Sequence, residues 1–215
     1  MSAGKELLEA LKKLVFNTYP NYIIETGTYN GLGTTRTIAE VLSNCKHRQF
    51  YSIECNPAHY AMALKNLVPL KCFNAVTILN GLSVPRDLLP DPMTIVRMAK
   101  EVPEGVQVDY DQSDREKQYF NESCWPDVPD DLLGLLLEEC NYGPSIVLLD
   151  SAGHLGNIEF NYVVNKLKWP CYFVLDDINH LKHYKSVRQM KSDKRFEIRW
   201  ETTEKFGSCI TYFKP

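Results

Sequence analysis

Apolar positions along this chain fall into two alternating periods. Over residues 5–17, Leu7, Leu8, Leu11, Leu14 and Val15 recur at helical spacing, while Lys5, Glu9, Lys12 and Lys13 fall largely elsewhere. That pattern predicts an amphipathic helix. A short apolar run, Tyr22-Ile23-Ile24, then ends in Glu25 and predicts a strand. Gly27, Gly31 and Gly33 follow, and residues 34–42 read as a helix. Residues 49–54 predict a second strand that ends in Glu54. Pro57 suits the first turn of a helix carrying Tyr60, Ala61, Ala63, Leu64 and Leu67. Residues 75–79 predict a third strand. The runs 145–150 and 171–175 are unbroken and apolar, as expected of strands buried on both faces. A helix from about residue 157 to 167 separates them, and a helix carrying Val187 and Met190 follows. Residues 195–200 and 208–212 predict two strands joined through Gly207. Alternating strands and helices imply an α/β architecture around a mostly parallel sheet, and the last two strands imply an antiparallel hairpin.

The pattern loosens over residues 84–143, where prolines at 85, 90, 92, 103, 126 and 129 interrupt it. Residues 109–122 are polar and aromatic, and 132–140 are apolar enough for a core helix returning to the sheet. With 215 residues there is room for one substantial domain, so 84–143 reads as an insertion within a single domain spanning 1–215. It is either a lid, with Tyr119, Phe120 and Trp125 to cover a ligand or dock a partner subunit, or a solvated excursion. Hydrophobic residues at 44% and charged residues at 24% are ordinary globular composition. A net charge of -3 leaves no electrostatic footprint for nucleic acid. No apolar stretch is long enough to span a bilayer, and the first residues lack a secretory apolar region. Seven cysteines without a C-x-x-C pair imply reduced thiols and a cytoplasmic setting, and argue against zinc.

Candidate chemistry begins at the glycine turn. Strand, glycines and helix form a ligand-binding corner, or else a plain tight turn. The order Gly27-x-x-x-Gly31-x-Gly33, with Glu25 two residues ahead, departs from the dinucleotide spacing and argues against an NAD-dependent oxidoreductase. It resembles motif I of the class I methyltransferases that use S-adenosylmethionine (SAM). The resemblance implies a Rossmann-like, mostly parallel seven-stranded sheet with helices on both faces and a C-terminal antiparallel hairpin. It also implies that Gly27, Thr28, Tyr29, Gly31, Gly33 and Thr34 pack against the methionine and ribose of the cofactor, and that Glu25 suits its cationic amino acid. Glu54, at the end of the second strand, is placed to accept from ribose hydroxyls; the alternative is a solvated strand-end charge. Asn80, Gly81 and Ser83 would lie near the adenine, although Asn-Gly is also a generic turn.

Asp150, Asp176 and Asp177 close the two most apolar strands. Carboxylates converging without a counter-charge repel one another, which a divalent cation relieves, and oxygen ligands favour magnesium over zinc. The run from Leu149 to His154, followed by Val174-Leu175-Asp176-Asp177, resembles metal-dependent sugar O-methyltransferases of the macrocin type. It is also similar to the cephalosporin hydroxylase-like proteins of the same fold. That resemblance implies magnesium on Asp150, Asp176 and Asp177, with Asp150 also near the cofactor and in the catalytic centre. His154 would be the base, with His180 in reserve. The other readings are a loop histidine, and acids that cap helices or hold the cofactor ammonium. The acceptor is expected to be a small hydroxylated molecule, a sugar or natural product. Members of the resembled group often associate, so a homo-oligomer is compatible. The competing class is a protein of this fold that binds a ligand or partner without catalysis.

Overall fold

A computed structural model describes residues 3–43, 45, 48–108, 114–140 and 145–215, with 115 and 116 described by backbone alone. Seven strands form one sheet: β1 (Tyr22–Thr26), β2 (Gln49–Glu54), β3 (Thr77–Asn80), β4 (Ser145–Leu149), β5 (Cys171–Asp176), β6 (Phe196–Thr202) and β7 (Ser208–Phe213). Their order is β3-β2-β1-β4-β5-β7-β6. The first five are parallel, and β7 runs antiparallel between β5 and β6. The chain winds outward from β1 toward β3, then returns to start again at β4. The β1/β4 boundary is therefore the reversal point, and the crevice beyond its carboxyl ends is where open sheets of this kind bind ligands.

Register keeps those ends level. Thr26 pairs with Ile53 on one side and Leu149 on the other, and Leu149 pairs with Leu175. Strand side chains alternate faces. Ile23, Ile146, Leu148 and Val174 pack into one core with Leu7 and Leu11 of α1 (Lys5–Thr18), Ile38 of α2 (Thr34–Leu42) and Leu67 of α3 (Pro57–Leu67). Ile24, Val147, Leu149, Phe173 and Leu175 pack into the other. There they meet Leu133 and Leu137 of α6 (Leu132–Glu139), Phe160 of α7 (Gly156–Lys166) and Met190 of α8 (Tyr184–Ser192). Fully burying each such aliphatic or aromatic side chain contributes about 1.5–3 kcal/mol.

The 84–143 stretch is more structured than its prolines suggest. Besides α6, which joins the main core, it contains α4 (Pro92–Lys100) and α5 (Arg115–Ser123). Asp91 and Pro92 explain where α4 starts: the Asp91 side chain accepts from the Thr94 N–H and proline fills the first turn. Ile95 and Tyr119 from these helices form a satellite core with Leu181 and Tyr184. Backbone bonds from Gln107 N–H to Asn179 O (2.9 Å) and from Leu181 N–H to Gln107 O (2.8 Å) fasten the stretch to the loop after β5. Of the expected polar run, residues 109–113 lie outside the described residues. The third strand begins two residues later than its apolar pattern suggests, because Lys71–Ala75 winds into a 3₁₀ turn. His180 and His183 are both buried in the loop ahead of α8.

Candidate active site

The glycine turn is shaped first by the protein itself. Gly27 has φ +85, and a Cβ there would stand 2.2 Å from the carbonyl oxygen of Asp150. Only glycine lets the β1 turn lie this close to the loop after β4. Beneath the turn, the fully buried Glu25 carboxylate accepts from the hydroxyls of Thr35 (2.6 Å), Ser52 (2.6 Å) and Thr34. Burial pushes its pKa up, and the three hydroxyls oppose that shift. Glu25 does not line the cavity described below, so it braces the start of α2 where a direct contact with a cationic ligand was expected. Thr28 is likewise buried, sharing a hydrogen bond with Ser52 (2.6 Å). Gly31 packs toward Leu67. Neither they, Gly33 nor Thr34 reaches the cavity.

Beyond the strand ends lies a cavity of about 410 Å³, within the range of small-molecule sites. Gly27, Tyr29, Glu54, Gly81, Ser83, Asp150, Asp176 and Asp177 of the expected residues line it. Glu54 to Asp176 crosses β2, β1, β4 and β5, three strand spacings or about 14 Å, long enough for an extended ligand. Glu54 is buried; its Oε2 accepts from the Tyr29 N–H (2.6 Å) and its Oε1 from the Asn56 N–H (2.9 Å). Its pKa is raised by burial, against those two bonds. Tyr29 stands edge-on to His59 at 4.8 Å, and both face the cavity. Asn80 turns away to donate to the Glu54 carbonyl (2.8 Å). Leu89 and Glu122 bring the 84–143 stretch into the wall.

At the other end, carboxylate oxygens of Asp150, Asp176 and Asp177 lie within 4.8 Å of one another. They have a counter-charge. The buried Lys182 ammonium donates to Asp150 Oδ1 (2.5 Å) and Asp177 Oδ2 (2.8 Å). Asp176 Oδ1 accepts from Ser208 Oγ (2.6 Å) and from the Asp177 N–H (3.0 Å). Burial pushes the Asp150 carboxyl up to about 8 even though Lys182 pulls it down. Burial works against the Lys182 ammonium, but Asp150, Asp177 and Asp176 together carry its pKa above the ordinary value. The premise that these acids converge uncompensated is therefore corrected.

His154 is also corrected. It is fully buried, its Nε2 shares a hydrogen bond with Ser123 Oγ (2.8 Å) on α5, and its ring lies 5.2 Å from that of Tyr119. It is absent from the cavity lining, and burial pulls its pKa down to about 3. A base must reach the proton it removes, and His154 instead ties α5 to the loop after β4.

No family model matches the chain, and no curated protein does. Solved structures do. An O-methyltransferase from Bacillus cereus, in complex with S-adenosylhomocysteine (SAH), superposes with a TM-score of 0.60 at 12% identity, covering 99% of this chain and 83% of that one. The Streptomyces achromogenes O-methyltransferase involved in tomaymycin synthesis, in complex with SAM, gives 0.58 at 11% identity, covering 100% and 82%. An SAH-bound methyltransferase from Podospora anserina gives 0.59 at 11%, covering 100% and 80%. The chain has the class I methyltransferase fold. Identities this low establish the fold alone, and the chemistry rests on the residues above.

Two residues of this methyltransferase fold escaped the sequence reading. Lys182 lies in His180-Leu181-Lys182-His183, where nothing local marks a lysine as buried. Glu159 of α7 is fully buried and accepts from Thr26 Oγ1 (2.8 Å), Ser151 Oγ (2.7 Å) and Ser83 Oγ. Its signal was available: Glu159 is one turn before Val163, on the helix face that packs against the sheet.

Proposed function

We propose that this chain transfers a methyl group from SAM to a hydroxyl of a small molecule. The observation that carries the reading is one cavity, at the reversal point of a methyltransferase fold, with Glu54 at one end and Asp150 at the other. Glu54 keeps lone pairs free beyond its two backbone bonds, and a carboxylate there accepts from both ribose hydroxyls. The Gly27–Tyr29 turn lies between and would take the methionine portion. The acceptor would enter at the end walled by the acid cluster, where Asp150 would take its hydroxyl proton. Asp150, Asp176 and Asp177 are of the oxygen-donor type that a hard divalent cation takes, and such an ion, were it to displace the Lys182 ammonium, would acidify and orient the hydroxyl. The rest of the rate enhancement would come from holding donor and acceptor together. Among the described residues no helix is long and apolar enough to cross a membrane, and all seven cysteines are free thiols. A cytoplasmic setting is part of the same proposal.

Calorimetry with SAH, with and without magnesium, tests the reading. SAH should bind, and Glu54→Ala should weaken it more than about tenfold, as expected when a charge-assisted bond worth about 1.5–3 kcal/mol is lost. Absence of heat with SAH would retire the cofactor assignment.

A further inference from the structure

The acid cluster already has an occupant. Lys182 is only 5% exposed, and its ammonium bonds two of the three carboxylates that a metal would need. The residue is held at its backbone and closely packed at its stem. Its backbone N–H donates to His180 Nδ1 (3.2 Å). Its stem crosses Gly156 at the start of α7, where an added Cβ would stand 2.4 Å from Lys182 Cγ and 2.7 Å from its carbonyl oxygen. Any other residue at 156 would push the lysine aside. The third carboxylate, Asp176, is held independently by Ser208 and the Asp177 N–H. This is a built contact and not a surface lysine folded inward.

A divalent ion approaching these oxygens meets a fixed positive charge among them. Two cations inside a cluster whose ligand atoms span 4.8 Å repel strongly in a buried setting. Losing the lysine would reverse the balance, leaving three uncompensated carboxylates that favour a metal.

We propose that Lys182 is the resident cation of the Asp150–Asp176–Asp177 cluster, so that a divalent ion binds there only by displacing it. Lys182 then acts as a positioning residue: it holds Asp150 and Asp177 toward the acceptor end of the cavity without a metal. The inference rests on the acid cluster belonging to the site proposed above, puts a lysine where that reading allows a metal, and is independent of the methyl-donor part.

Manganese alone is a suitable probe, because its free aqueous ion gives an electron paramagnetic resonance signal that vanishes on binding. The full chain would be titrated as wild type, Lys182→Met and Lys182→Arg, with circular dichroism to confirm folding. The expected result is a wild-type dissociation constant above about 100 μM, an unchanged value for Lys182→Arg, and binding at least about tenfold tighter for Lys182→Met. Wild-type binding as tight as that of folded Lys182→Met would overturn the proposal. If Lys182→Met does not fold, the wild-type titration decides: a constant below about 100 μM overturns the proposal and one above it supports it. SAH calorimetry on the same samples separates the two claims, since missing SAH binding retires the methyl donor and leaves the manganese result standing.

Discussion

Replacing Gly27 by alanine is the sharpest test of how the site is built. The substitution incurs two costs. Holding an L residue at φ +85 costs about 1–2 kcal/mol. The new methyl would lie 2.2 Å from the Asp150 carbonyl oxygen, 2.6 Å from its carbon and 3.0 Å from the Ser151 nitrogen. All three are backbone atoms, so no side chain can swing away. Restoring van der Waals separation requires the turn and the β4 loop to part by about 1 Å, and overpacking of this kind costs about 1–3 kcal/mol. The sum is about 2–5 kcal/mol, or roughly 10 °C in Tm for a chain of this size. Gly105 is the control: it has a similar φ of +84 with no described atom within 4 Å of the added methyl. Gly105→Ala should therefore lose only the first contribution, about 1–2 kcal/mol. Urea unfolding followed by tryptophan fluorescence would measure both, and SAH calorimetry should show weaker binding for Gly27→Ala because Asp150 and Ser151 line the cavity. If Gly27→Ala is no more destabilising than Gly105→Ala, the close approach to Asp150 is not what fixes this glycine.

Three further outcomes follow from the buried groups. The His154 pKa falls from 6.5 to about 3 on folding, so its contribution is complete above pH 6.5 and is lost as pH drops toward 3. At about 1.4 kcal/mol per pH unit, wild type should lose about 2 kcal/mol more than His154→Gln between pH 7 and 5; parallel stability profiles in that interval would contradict this. Glu159→Gln puts an amide that accepts at only one atom where three hydroxyls donate, and should cost about 1–3 kcal/mol in denaturant unfolding; an unchanged midpoint would show that the hydroxyls re-pair freely. Burial pushes the Cys55 thiol up to about 12, and Cys55 also donates to the Glu122 carbonyl (3.1 Å). Iodoacetamide at pH 8 should therefore modify exposed Cys124 first, and peptide mapping that finds Cys55 modified ahead of it would refute the assignment.

The sheet was legible because its evidence is local and periodic. Alternation of Ile23 with Ile24, and of Leu148 with Leu149, sorts residues onto two faces that the structure fills with separate cores. The strand ends were legible for the same reason, which is why Glu54, Asp150, Asp176 and Asp177 share a cavity. Side-chain direction at those ends was harder to read. Glu25 follows Ile23 by two and so shares its face; alternation alone directs it toward α2, where Thr34 and Thr35 meet it. Lys182 and His154 belong to loops whose paths are set by distant contacts, Gly156 for one and Ser123 for the other. No spacing rule along the chain encodes such meetings. Within 84–143 the core helix at 132–140 was read and is α6, whereas α4 was missed because a proline read as a break, Pro92, is its start.

The Glu159 carboxylate gathers hydroxyls from Thr26, Ser83 and Ser151, which belong to the ends of β1, β3 and β4. Three separate connections thus share one linchpin, and detaching any of them leaves the buried carboxyl group one donor short. The loops beneath the pocket are thereby coupled through one side chain. Tailoring for a particular ligand then falls to wall residues such as Leu89, which takes no part in that shared anchor.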